Sequence, residues 1–125
     1  MPIAIEPRPL TTRERAVAEL ILGLDFSGAT ELRAQLDFVR VVARWGAESA
    51  SVDLETPPCA PRSPVPDGIV PVDTTVVDAS GQLFGEIILW VTDGRLSAIE
   101  YAWYGDEPPN SLPSTDRVST EPRGL

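Results

Sequence analysis

The chain has 125 residues, in which 19 carboxylates face ten basic side chains, all of them arginine, for a formal charge of -9 with no lysine and no histidine. Such a balance disfavours bare nucleic acid, whose phosphates attract clustered Lys and Arg. The missing residue types remove the commonest general base, the Schiff-base nucleophile and the neutral-nitrogen metal ligand.

A hydrophobic share of 42% at this length suits one ordinary core. The lone Cys59 allows no internal disulfide, and no apolar run approaches the roughly 18 residues of a membrane span. Thirteen prolines gather at Pro2 to Pro9, Pro57 to Pro71 and Pro108 to Pro122, marking two ends and one long loop. Residues 1-9 are expected to be flexible. The start, Met1-Pro2-Ile3-Ala4-Ile5-Glu6, lacks the basic residues and apolar stretch of a signal peptide, so the cytoplasm is the expected location.

A domain is predicted over residues 10-105. Thr11 and Glu14 form a capping box, and Ala16, Val17, Leu20, Ile21 and Leu24 then recur at helical spacing. Ser27 is expected to cap a second helix that buries Ala29, Leu32 and Leu36 and turns Glu31, Arg33 and Gln35 outward. Phe26 sits between the helices and is expected to pack beneath both.

From Phe38 the period becomes two. Val39, Val41, Ala43 and Trp45 point one way, with Arg40 and Arg44 opposite; Ala50, Val52 and Leu54 then alternate with Ser51, Asp53 and Glu55. Residues 57-71 hold six prolines and read as a loop crossing a sheet edge, since proline lacks a ladder donor and restricts the residue before it. Strand character resumes over Val72 to Ala79, and Ser80-Gly81 turns the chain into Leu83.

Asp93-Gly94 then signals a hairpin with a type I′ turn. A continuous register sets Trp90 opposite Ser97, Ile88 opposite Ile99, Glu86 opposite Tyr101 and Phe84 opposite Trp103. It leaves Glu86 and Glu100 on opposite faces. A bulge near Ser97 would instead put Leu96 and Ile99 on one face and redistribute the aromatics. In either register both faces of the hairpin are largely apolar, so both need cover. The predicted fold class is α+β: two N-terminal helices on one face of an antiparallel sheet of about five strands. Residues 106-125 read as an acidic, proline-containing tail.

Taken together, Leu10-Thr11-Thr12-Arg13-Glu14-Arg15-Ala16-Val17, Asp25-Phe26, Glu31-Leu32-Arg33-Ala34-Gln35, Val52-Asp53-Leu54 and Asp93 to Glu100 running into Trp103-Tyr104-Gly105-Asp106-Glu107-Pro108-Pro109 resemble a group of small uncharacterised α+β proteins common in GC-rich actinobacteria. The resemblance spans roughly residues 10 to 116 and implies no activity. Members of that group often carry several cysteines in the turn between the first two strands. Here that turn, Trp45-Gly46-Ala47-Glu48-Ser49-Ala50, has none.

The function expected from these features is a non-enzymatic, acidic protein-interaction domain, immunity-like, antitoxin-like or self-associating. No catalytic residue, metal ligand or cofactor is predicted, and neither nucleic acid nor membrane is an expected partner. Trp90, Tyr101, Trp103 and Tyr104, with the acidic exit Asp106-Glu107, are the candidate contacts for a protein partner or a second copy. The alternative is a small-molecule site in which Trp90, Tyr101 and Trp103 line a cavity on the sheet. Cys59, between prolines and without a histidine to activate it, reads as an incidental thiol.

Overall fold

The computed structural model describes residues 2-123. Two helices, α1 (Thr12–Leu22) and α2 (Ala29–Gln35), accompany eight strands: β1 (Ile3–Pro9), β2 (Arg40–Arg44), β3 (Val52–Glu55), β4 (Gly68–Ile69), β5 (Val72–Val77), β6 (Leu83–Thr92), β7 (Arg95–Trp103) and β8 (Val118–Pro122). All ladders are antiparallel, in the order β1-β2-β3-β7-β6-β5-β8, with β4 also on β6. The class is α+β. No described helix is long and apolar enough to cross a membrane.

Eight strands stand where about five are expected, and the three additions, β1, β4 and β8, lie in or beside the proline clusters. Proline is tolerated on an edge strand because the side facing away from the ladder needs no donor. Among the described residues, strand β1 pairs only with β2, and β8 only with β5. Strand β1 thus lies in the segment expected to be flexible, and β8 within the expected acidic tail. The segment leading into β8 is also pinned, because Leu112 is buried in the core and its carbonyl accepts from Arg13 Nη1 at 2.9 Å.

Helix α1 starts at the predicted capping box: Glu14 N–H donates to Thr11 Oγ1 at 3.0 Å and Thr11 N–H to Glu14 Oε1 at 2.8 Å. The Glu14 carboxylate also receives both Arg8 guanidinium nitrogens from β1, at 2.8 and 3.1 Å. Burial pushes this carboxyl upward, but Arg8 and the Thr11 backbone outweigh it and hold it below the ordinary value.

Helix α2 begins differently from expectation. Its N-cap is Gly28, at φ 96°, with no side-chain cap. A Cβ there would collide with Ser63 Oγ, and that hydroxyl donates to the Gly28 carbonyl at 3.0 Å. The proline-rich segment thus packs directly on this turn, which only glycine permits.

The core lies between the helices and one face of the sheet. Val17, Ile21, Leu22, Leu32 and Leu36 meet Val41, Val52, Leu54, Ile87, Leu89, Val91, Leu96 and Ile99, and the proline-rich segment adds Val65 and Val70 on the same side.

The hairpin turn forms as predicted, with Asp93 at φ 54° and Gly94 at φ 74°. Thr92 faces Arg95 and Val91 faces Leu96, but then Trp90 faces Ala98, so Ser97 is an extra residue. The bulge corrects every pairing below it: Ile88 faces Glu100, Glu86 faces Ala102 and Gly85 faces Trp103.

Leu96 forms a non-hydrogen-bonded pair with Val91, so its N–H and C=O turn away from β6; β3 pairs only as far as Ala98, and side chains serve these groups instead. Gln35, expected in solvent, is fully buried. Its Oε1 accepts from Leu96 N–H at 2.9 Å, while Nε2 donates to Pro61 O at 2.7 Å and Gly94 O at 2.9 Å. Thr56 Oγ1 donates to Leu96 O at 2.9 Å. One amide therefore ties α2, the proline-rich segment and the hairpin tip together.

Replacing Gln35 with leucine strands the Leu96 N–H and should lower unfolding free energy by about 3 kcal/mol in urea titrations. Gln82→Leu, at an exposed turn, should change it by less than about 0.5 kcal/mol.

Candidate functional site

Because helices, proline-rich segment and Leu112 all contribute to the core on one side, the opposite sheet face has no layer over it among the described residues. Glu86, Ile88 and Trp90 on β6 and Glu100 and Ala102 on β7 are half-buried there. Of the side chains on this face, Ala43 and Ala98 are buried, being short enough to be overtopped by their neighbours.

A second bulge brings Trp45 to this face. Val41 pairs with Leu54 and Ala43 with Asp53, so Val42 is the extra residue and the alternation reverses beyond it. Val41 and Trp45, expected on one face, are thereby separated. The Trp45 indole N–H donates to Asp53 Oδ1 at 3.0 Å.

Two similar pairs follow on the hairpin. Trp90 Nε1 donates to Glu100 Oε1 at 2.9 Å, and the Tyr104 hydroxyl donates to Glu86 Oε2 at 2.9 Å. Each carboxylate is oriented through one oxygen, and its second has no partner among the described residues. Glu86 and Glu100 share this face, which overturns their expected separation and follows from the Ser97 bulge.

The face is strongly acidic. Across β2, β3, β7 and β6 it presents Asp53, Glu55, Glu86 and Glu100 against Arg40, which faces Glu55, and Arg95, which pairs with Asp93 at the tip.

The predicted contacts are divided by this geometry. Trp90 lies on the open face, Trp103 is 41% and Tyr104 58% exposed, and Asp106 and Glu107 are exposed on the loop that follows. Tyr101 is corrected to the core: it is 5% exposed and sits edge-on to Phe84 with ring centroids 6.0 Å apart. The bulge moved it, since Tyr101 now faces Ile87 on the inner side. Burial pushes its phenol upward.

At one end of the face lies a cleft of about 680 Å³ between the Trp45–Ser51 turn, the end of β7 and Pro108–Asn110. Its charged lining is Glu48 and Glu100. Trp45, Glu48 and Asp53 are absent from the contacts predicted by sequence, because their grouping depends on a one-residue bulge and on a turn folding back along β7. No local pattern signals it. Among the described residues no three carboxylate or cysteine side chains gather as a metal site would. In comparisons with known proteins, no family model, no curated protein and no solved structure matches the chain.

The hydrogen bond to Glu86 raises the Tyr104 phenol above its ordinary value, because ionisation would set two negative groups together. In an NMR pH titration of the tyrosine ring carbons, Glu86→Gln should therefore lower the Tyr104 midpoint. Tyr101, raised by burial, should hold its own.

Proposed function

We propose that the chain is a non-enzymatic protein-interaction domain whose open sheet face binds a basic partner. The observation supporting this reading is a half-buried, aromatic face without a covering layer, carrying Asp53, Glu55, Glu86 and Glu100. Exposed contiguous apolar surface marks interaction sites, and aromatic side chains are enriched at the centres of protein interfaces. The charge selects the partner. Two copies meeting through this face would set carboxylates against carboxylates, whereas a basic protein would be steered toward it. An immunity or antitoxin protein acting on a basic toxin or enzyme is one form of this role.

The cleft supports a second reading, a small-molecule site, since about 680 Å³ with Trp45, Trp103 and Pro109 in its walls falls within the size range of ligand pockets. Its continuation along the sheet end favours a larger partner.

The exposed Glu55 and the half-buried Glu86 offer the test. The Glu55→Arg, Glu86→Arg double variant should fold with stability within about 1 kcal/mol of the parent. It should lose a basic protein that the parent retains from lysate of its source cells. Retention of that protein at unchanged affinity, measured with both purified, would contradict the reading.

A further inference from the structure

Strand β7 continues to Trp103, but its neighbour β3 reaches only Val52, opposite Ile99. From Glu100 to Trp103, β7 is paired with β6 on one side and with no strand on the other among the described residues. The direction of its edge groups follows from one bond. Tyr101 N–H points away from β6 and donates to Ser51 Oγ at 2.8 Å. By the two-residue alternation of an antiparallel ladder, the Trp103 N–H and C=O point the same way. That way lies the cleft, whose floor is Glu100 to Trp103.

Proteins guard such edges. The sheet's two outer edges are guarded here, β1 by Pro7 and Pro9 and β8 by Pro122. The free stretch of β7 carries no proline, and its flanks are Trp45 and Trp103. With the Tyr101 N–H taken by Ser51 Oγ, the groups left on this edge are the Tyr101 C=O and the N–H and C=O of Trp103, a span of about 7 Å that admits a short extended segment.

We infer that this edge accepts an extended, arginine- or lysine-bearing segment of the partner as an added strand. The inference rests on the protein-interaction reading and names the partner's contacting chemistry. Charge complementarity selects a cationic segment: the cleft's charged lining is Glu48 and Glu100, and Trp45 and Trp103 also line it. A strand added here presents alternate side chains to the two sides of the sheet. One set meets Glu100 and the open acidic face. The other turns toward the adjoining cleft that holds Arg8, Arg13 and Arg44 beside Glu14 and Glu48. The preferred segment therefore alternates basic with uncharged residues.

The test uses the full chain and a capped peptide alternating arginine and valine, titrated by calorimetry at low salt. Methylating the peptide nitrogens that face β7 should weaken binding at least tenfold, because it removes ladder donors at constant charge. Methylating the other nitrogens should change it less than threefold. Trp103→Pro deletes the edge N–H without touching the β6 ladder, and should weaken binding well beyond the Trp103→Ala control.

Binding indifferent to methylation but lost in the Glu55→Arg, Glu86→Arg variant would overturn strand addition and leave the open-face reading standing. No peptide binding, with a native partner still lost on that charge reversal, would overturn it in the same way. A dimer in sedimentation that Trp103→Pro dissociates would replace the basic segment with a second copy of this edge.

Discussion

The Gln35 amide and the Ser97 bulge are two halves of one constraint. The bulge turns Leu96 and Ile99 to the same face, so the hairpin delivers Val91, Leu89, Ile87, Leu96, Ile99 and Tyr101 to a single core. The Leu96 N–H and C=O, on the side away from β6, are met by Gln35 and Thr56 in a buried site. Burying a primary amide is costly unless its hydrogen-bonding groups are used. Gln35 meets that condition with three bonds, to the backbone of Pro61, Gly94 and Leu96. That one side chain bonds helix, proline-rich segment and hairpin tip at once, alongside the Ser63 bonds to Gly28 and Gly94.

What that arrangement leaves open follows directly. With the inner face collecting the large aliphatics and Tyr101, the outer face receives Trp90, Ile88 and the carboxylates Glu86 and Glu100. Among the described residues, the long segments that could cover it pack on the other side. The proline-rich segment is drawn to the helix side through Ser63, Val65 and the Gln35 amide, and the last segment is drawn there through Leu112. The tryptophans left on this face are anchored by their N–H groups to Asp53 and Glu100, which fixes ring and carboxylate together. Under the proposed reading, side chains held in this way would lose little freedom on binding a partner.

Local signals in the sequence are readable where they stand alone. The Thr11/Glu14 capping box and the Asp93-Gly94 turn each occupy a few adjacent residues and form as expected. Strands β1 and β8 are illegible because proline reads as a breaker, while on an edge it only removes a donor that has no ladder to join. The polarity of Gln35 suggests solvent, whereas its partners lie up to 61 residues away. The bulge at Val42 has no sequence signature, so simple alternation puts Trp45 on the wrong face. The bulge at Ser97 does leave a trace: Leu96 and Ile99 are three apart, a spacing a regular strand cannot put on one face.

Core, acidic face and free β7 edge all depend on that register. In an antiparallel ladder the non-hydrogen-bonded pairs bring their Cα atoms to about 4.5 Å, close enough for a strong Hα–Hα contact in a nuclear Overhauser spectrum. With Ser97 bulged, Leu89 pairs with Ile99 and Ile87 with Tyr101 in this way, and both contacts should appear. Contacts of Leu89 with Ala98 and Ile87 with Glu100 would instead mean a continuous ladder. Tyr101 would then lie on the open face, and the assignment of core, acidic face and free edge would fail together.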